Sequence, residues 1–250
     1  MPAWPEPAVV FVVLATFFGA GLAKGLVGLG FPTITVGVLA VPLGLAPAIA
    51  VTVVPAIVTN VAQAFTGAHL FPLLRCLWPL LVSAVVGGLI GTTVLARGDA
   101  DQLTRVLGVL LALYAAMGLF APPLPRPGRL HGLLGPAVGF VAGLIAGMVG
   151  SYTLPTVAYL QALRLPRDEL VQALGVVFLT LSLTLAVGLA RTALLVAPWL
   201  SLSVVAIAPA LVGMEAGRRL RHRLPERRFR TLLFLALFAL GVHLAAGAAG

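Results

Sequence analysis

One lysine lies within an apolar stretch that glycine and proline interrupt repeatedly. The stretch reads GAGLAKGLVGLGFPTITVGVLAVPLGLAP over residues 19–47, and Lys24 is its only charged residue. Glycine lets a ligand approach the backbone, and an interrupted helix leaves N–H groups unpaired at the positive end of its dipole. An ammonium beside such groups is suited to binding a small anion. In the alternative, Lys24 reaches the lipid headgroups from a helix end.

A second stretch carries the same pattern. From residue 145 the chain reads IAGMVGSYTLPTVAYLQALRLPRDELVQALGVV, which again has Gly-x-x-Gly, proline, a short apolar run, a proline-containing turn and a long apolar segment. Lys24 has no counterpart there, because Ala146 stands at its position. Close helix packing also favours glycine, but interrupted helices at matching positions in two halves indicate a transporter's binding site. The predicted binding residues in the two stretches are Lys24, Gly25, Gly28, Gly30, Pro32, Thr33, Gly147, Gly150, Ser151, Tyr152, Thr153 and Pro155.

Two amides in the long segments that follow, Asn60 and Gln172, complete the predicted binding set. Amides within a membrane also bridge helices, so a packing role for them stays open. Carboxylates are placed differently, because each of them falls at the end of a predicted span or in a loop. The acids are Glu6, Asp99, Asp101, Asp168, Glu169, Glu215 and Glu226. A cation or metal transporter needs buried carboxylates, so we expect an anionic substrate, no metal and no cofactor.

Composition assigns the chain to the membrane proteins. Hydrophobic residues make up 60% of the 250 residues and charged residues 9%, with a mean hydropathy of +1.11. A soluble domain carries about a quarter charged residues, so we predict an all-α polytopic membrane protein in contact with the lipid bilayer. The net charge of +9 is then a matter of loop asymmetry, and no nucleic-acid partner is expected.

Eight segments have about the 20 mostly apolar residues that a spanning helix needs. They lie near residues 8–24, 46–66, 71–96, 103–121, 132–149, 169–189, 192–216 and 229–248. The first has no basic region before it and is read as a retained helix, not a cleaved signal. Two shorter apolar runs, 32–41 and 154–163, are expected to be half-helices or re-entrant segments enclosed by protein or by a wet cavity.

A proline-rich linker over residues 122–131 divides the chain into two groups of four spans, 1–121 and 132–250. We expect two pseudo-symmetric repeats, parallel to each other because each has an even number of spans. The basic loop 217–230 is expected in the cytoplasm and both termini outside. On this topology Arg97, Arg105, Arg164 and Arg167 lie inside, and Arg75, Arg126, Arg129 and Arg191 lie outside.

The motifs GLVGLGFP after the first span and GMVGSYTLP after the fifth resemble those of the sulfite exporter TauE/SafE family, with similarity over essentially the whole chain. The resemblance implies a bacterial inner-membrane permease that exports sulfite, sulfoacetate or a related sulfur-containing anion. The first motif has fewer glycines than is typical of the family. The second has Ser151 and Tyr152 where small residues are expected.

We therefore predict a secondary transporter that moves a small anion by alternating access. An anion channel lined by the same residues is the alternative. An intramembrane hydrolase with Ser151 as nucleophile and His243 as base is disfavoured, because the predicted depths place the two residues about 20 Å apart. The identity of the anion, the coupling ion and assembly into a homo-oligomer stay open.

Overall fold

The computed structural model describes residues 6–120, 131–220 and 226–247. This part of the chain is helical, with short connections and no strand. Most of the predicted linker, residues 122–130, lies outside the described residues, and the division into two domains stays a prediction. The helices are α1 (Pro7–Val27), α2 (Phe31–Leu43), α3 (Leu45–Ala64), α4 (Leu70–Arg97), α5 (Ala100–Phe120), α6 (His131–Val149), α7 (Thr153–Ala162), α8 (Arg167–Arg191), α9 (Ala197–Val205), α10 (Ile207–Leu220) and α11 (Glu226–Ala245).

Seven helical segments among the described residues are long and apolar enough to cross a membrane: α1, α3, α4, α5, α6, α8, and α9 with α10 taken as one. The predicted polytopic membrane fold is confirmed. The eighth predicted span falls on α11, whose apolar part, Phe229–Ala245, is shorter than the others; a count of eight stays a prediction. The predicted span 192–216 is interrupted at Ala206, between α9 and α10, where Pro209 has no N–H to donate to the carbonyl of Val205.

The two short apolar runs form the short helices α2 and α7; that they are half-helices or re-entrant segments stays a prediction. A glycine in the left-handed conformation ends the helix before each of them. Gly28 (φ +85°) caps α1 and donates to the carbonyl of Lys24 at 2.7 Å. Gly150 (φ +69°) ends α6 in the same way, donating to the carbonyl of Ala146 at 2.8 Å. Since side chains are strained in this conformation, glycine at both positions is explained by the helix ends.

Small residues join the long helices in pairs, α1 with α10 and α4 with α6. A Cβ atom at Gly25 would overlap the carbonyl oxygen of Met214, and a Cβ atom at Gly147 would overlap that of Gly88. The backbones are therefore in direct contact, as is common where lipid provides no hydrophobic force between helices. Other glycines in these two contacts are Gly21, Gly87, Gly91, Gly139, Gly143, Gly213 and Gly217.

Side-chain contacts show the relative directions of α1, α3 and α8. Near its end, α3 places Gln63 beside Val171 at the start of α8, whereas the earlier residue Asn60 meets Ser182 further along α8. These two helices are therefore antiparallel. Gln63 also donates to the carbonyl of Gly28 at 3.1 Å, so α1 and α3 finish at the same end of the molecule and run parallel.

The expected parallel relation between two four-span units is therefore wrong. Because α1 and α3 are parallel, the short helix α2 must carry the chain back between them. The chain therefore passes through the protein twice before α3, whereas the sequence-based topology expected one pass. The corresponding helices α3 and α8 then point in opposite directions. The helices α5 and α11 are also antiparallel, since Gly108 near the start of α5 meets Ala245 and Gly118 near its end meets Phe234.

Because these helix directions are reversed, some arginines lie at the opposite end of the molecule from the one predicted. We call the end of the molecule where α1, α3 and α10 finish the α10 end. The sequence-based topology grouped Arg97 and Arg105 with the loop after α10 and separated Arg75 from it; all three assignments are reversed. Among the arginines whose side chains the structure describes, those at the α10 end are Arg75, Arg164, Arg167, Arg218, Arg219 and Arg230, and those at the opposite end are Arg97, Arg105 and Arg191.

Candidate functional site

Lys24 lies one turn before the end of α1 and is 4% exposed. Its Nζ donates to Oγ1 of Thr59 at 3.2 Å and to Oδ1 of Asn60. Both acceptors are neutral and both belong to α3. The lysine thus points into the protein and not towards the headgroups, and in the described part of the chain no carboxylate pairs with it.

A chain of hydrogen bonds continues from Asn60 across the protein. The amide Nδ2 of Asn60 donates to Oγ of Ser182 on α8 at 3.0 Å. Ser182 in turn donates to the carbonyl of Phe178 at 2.7 Å. Because that bond uses the only hydroxyl hydrogen of Ser182, the contact of 2.9 Å with Tyr152 requires the Tyr152 hydroxyl to donate. The chain holds the amide of Asn60 in one orientation, with its oxygen towards Lys24.

Three further hydroxyls meet where α2 and α7 begin. Oγ1 of Thr33 lies 2.6 Å from Oγ1 of Thr153 and 3.2 Å from Oγ of Ser151. All three residues are buried. One turn into α7, the hydroxyl of Thr156 is buried as well and has no partner in the described part of the chain. The beginnings of the two short helices and the hydroxyls of Thr33, Ser151 and Thr153 therefore lie together inside the protein.

These hydroxyls differ in what they bond from hydroxyls further along the helices. Thr35, two residues after Thr33, donates to the carbonyl of Phe31 at 3.0 Å, as hydroxyls within a helix commonly do. Residues in the first turn of a helix have no helical carbonyl four positions earlier, and in the described part of the chain Thr33 and Thr153 bond only hydroxyls. The same carbonyl bonding as in Thr35 occurs at Thr52, Thr59, Thr92, Thr180, Ser182 and Thr184.

The two networks are adjacent in space. Tyr152 belongs to the first network through its hydroxyl, and its chain neighbours Ser151 and Thr153 belong to the second. The networks also approach each other at Phe31, the first residue of α2. The centre of its ring lies 5.7 Å from Nζ of Lys24, and the same helix carries Thr33. We call the combined set the lysine–hydroxyl cluster. Its members are Lys24, Thr33, Thr59, Asn60, Ser151, Tyr152, Thr153 and Ser182.

A comparison with protein families decides the class of this protein. The family model described as Sulfite exporter TauE/SafE matches residues 13–244. The chain belongs to the TauE/SafE family. This assignment confirms the resemblance given by the glycine motifs, and it places the protein among multi-pass membrane transporters. No curated protein and no solved structure matches the chain.

Several residues predicted to bind the substrate have structural contacts in this TauE/SafE protein. Gly25 and Gly147 lie in the helix contacts described above, and Pro32 and Pro155 lie in the first turns of α2 and α7, where a missing N–H costs no hydrogen bond. Gly30 precedes α2 with φ +89°. These contacts alone account for the residue types at these positions, and a binding role for them stays a prediction.

The side chain of Gln172 lies outside the lysine–hydroxyl cluster. Its Oε1 accepts from the N–H of His69 at 3.0 Å, and its Nε2 donates to the carbonyl of Ala64 at 2.9 Å. The amide therefore attaches α8 to the connection between α3 and α4, at the α10 end. The packing role that the sequence left open for an intramembrane amide accounts for these contacts.

Two members of the cluster, Thr59 and Ser182, were not in the predicted set. A signal for Ser182 was present in the sequence, because it follows Asn60 by 122 residues, the same separation as between Gly28 and Gly150. For Thr59 the signal was only its position beside Asn60. Without the directions of α3 and α8, neither signal indicates that the side chains meet.

The chemistry of the cluster is that of hydrogen-bond donors. It offers one ammonium and several hydroxyls, and no group of three His, Cys, Asp or Glu residues that could hold a metal occurs in the described residues. Ser151, the nucleophile of the disfavoured hydrolase, contacts Thr33, while His243 is exposed on α11. The arrangement is suited to binding an oxyanion.

Proposed function

We propose that this TauE/SafE protein is a secondary transporter that exports a small oxyanion across the bacterial inner membrane, with the lysine–hydroxyl cluster as its binding site. The observation that carries the proposal is a buried ammonium that no carboxylate of the described residues pairs with, adjacent to hydroxyls at the beginnings of two short helices. Charged residues within membrane segments are costly and usually functional.

Unused hydrogens in the cluster are the basis for binding. An ammonium has three N–H groups, and Lys24 uses one on Thr59 and one on Asn60. Thr33, Ser151 and Thr153 have three hydroxyl hydrogens and, within the described ranges, only one another as acceptors. An oxyanion supplies the missing acceptors, and the positive ends of the α2 and α7 dipoles add to the attraction. Sulfite and organic sulfonates present three oxygens at one end, which agrees with the family assignment.

Alternating access is supported by contacts that recur in opposite orientation. Gly28 at the end of α1 lies against Val171 of α8, and Gly150 at the end of α6 lies against Ile49 of α3. We infer two halves of inverted topology, α1–α5 and α6–α11, in place of the parallel units expected from the sequence. In transporters built this way, the halves exchange conformations and expose a central site to each side in turn.

The arginine distribution supports an orientation with the α10 end in the cytoplasm, because short cytoplasmic loops are enriched in Lys and Arg. The start of α1 and the end of α11 then lie outside, in agreement with the sequence-based expectation for the two termini. In this orientation an inside-negative potential favours the exit of an anion by about 2.3 kcal/mol per charge per 100 mV.

Flux measurements in proteoliposomes test the proposal, with sulfite, sulfoacetate, sulfate, thiosulfate and chloride as candidate anions. We expect saturable flux of a sulfur oxyanion in the wild-type protein and its loss in Lys24→Met.

Thr33→Val and Thr35→Val form a matched pair, since both residues are fully buried on α2 but only the Thr35 hydroxyl bonds a carbonyl. We expect a reduction of roughly tenfold for Thr33→Val, from the loss of about 1–2 kcal/mol of hydrogen bonding, and no change for Thr35→Val.

Equal flux in all four proteins would contradict the placement of the site. Silence for every anion would contradict the substrate class. Single-channel currents would show that the protein is an anion channel and not a transporter.

A further inference from the structure

Among the described residues, no negative charge compensates the positive charge of Lys24. Its acceptors, Thr59 and Asn60, are neutral. The acid on the helix packed against α1 is Glu215, whose carboxylate is bound by Arg218 and Arg219. The ring of Phe31, 5.7 Å from Nζ, offers only the partial compensation of a cation–π contact.

The described residues of the other half of the protein add no second charge at this site. At the position of α6 that corresponds to Lys24, the residue is Ala146, which is 1% exposed. Ser182, which corresponds to Asn60 by the same separation along the chain, is neutral. The cluster therefore has a net charge of one when empty, and a singly charged anion makes it neutral.

This charge has a consequence for the transport cycle. In alternating access, the site passes through a state that is closed to both sides. An unpaired ammonium in such a closed, low-dielectric site is unfavourable, whereas an ammonium paired with an anion is much less so. Loaded protein should therefore change conformation readily, and empty protein should do so slowly.

We propose that this protein is an anion exchanger, in which export of one oxyanion is tied to entry of another small anion through the same site. The proposal rests on the proposed function and adds the identity of the co-substrate: a second small anion that binds at Lys24. Exchange then conserves charge at the site, because Lys24 is paired in both conformational changes of the cycle.

The test compares exchange with net uptake of radiolabelled sulfite. Proteoliposomes are loaded either with unlabelled sulfite or with no transportable anion, and the membrane potential is held at zero with potassium and valinomycin. Uptake into protein-free liposomes is subtracted. We expect uptake by exchange to be at least tenfold faster than net uptake. Net uptake as fast as exchange overturns the exchanger while leaving the transporter intact, and no uptake in either case overturns the proposed function for sulfite as well.

Variants connect the result to the charge. Lys24→Arg retains the charge and is expected to keep the ratio of exchange to net uptake, even where both rates fall. Lys24→Met removes the charge, so the ratio in whatever flux persists is expected to fall towards one. Thr35→Val is the control that leaves the ratio unchanged. Net uptake as fast as exchange and accompanied by proton movement would also overturn the proposal, because Lys24 would then reset by losing its proton.

Discussion

At the scale of single residues, Asn60 has a central position in the cluster. Its oxygen accepts from Lys24 and its nitrogen donates to Ser182, so both ends of one amide are used in complementary ways. A carboxylate has the same shape but would neutralise the lysine. The neutral amide orients the ammonium while leaving its charge available to a substrate.

Asn60→Asp is therefore expected to weaken transport without unfolding the protein. The new carboxylate pairs with Lys24 and competes with the anion, so we expect the KM for sulfite flux to rise at least about tenfold, a change of 1.4 kcal/mol. Flux titrations measure the KM, and thermal unfolding in detergent is the control for stability. A variant with the wild-type KM would show that the lysine does not bind the substrate.

Ser182 is expected to act through Asn60. In Ser182→Ala the amide of Asn60 and the hydroxyl of Tyr152 both lose an acceptor, a cost of about 1–3 kcal/mol for buried groups left unpaired. We expect a several-fold rise in KM and a lower unfolding temperature. Ser201→Ala is the comparison, because the Ser201 hydroxyl bonds only carbonyls of its own helix. Identical KM values for the two variants would exclude a positioning role.

At the scale of helices, the contacts between α1 and α10 and between α4 and α6 depend on the absence of side chains. Hydropathy predicted each of these helices, yet it does not distinguish a glycine that faces lipid from one that faces another backbone. Gly19 shows the difference, since a Cβ atom there meets nothing within 4 Å, although Gly25 on the same helix is in direct contact with α10.

Gly147→Ala is expected to destabilise the protein, whereas Gly19→Ala is not. The added methyl group at residue 147 overlaps the carbonyl oxygen of Gly88, so α4 and α6 must separate; overpacking of this kind costs about 1–3 kcal/mol. Thermal unfolding in detergent is the measurement, with a decrease of several degrees for the first variant. Equal unfolding temperatures would mean that the helix pair adjusts without cost.

At the scale of the whole molecule, the structure and the sequence-based topology differ in the directions of α3 and α4. The structure places the exposed loop residue Ala68 at the α10 end, with Arg219, and places Asp99 at the opposite end. The sequence-based topology predicts the reverse for both loops. Cysteines introduced one at a time into a Cys76→Ser background can distinguish the two.

We expect a membrane-impermeant thiol reagent to label Ala68→Cys and Arg219→Cys from one side of sealed vesicles and Asp99→Cys from the other. Labelling of Asp99→Cys together with Arg219→Cys would restore the parallel arrangement. Reaction after detergent is added is the control that every cysteine is reactive.

The sequence by itself determined the class of protein, the two short helices and a lysine with no intramembrane carboxylate. These are local properties, since hydropathy, helix length and glycine or proline positions can be read without knowing which segments meet. Tertiary structure decided the direction of α3 and the hydrogen bonds that connect Lys24 to Asn60 and Asn60 to Ser182. It also decided the packing contacts of Gly25, Gly147 and Gln172. The physical reason is that a spanning segment is equally apolar in either direction. Whether α2 returns the chain across the protein depends on what encloses it, and therefore on helices distant in sequence.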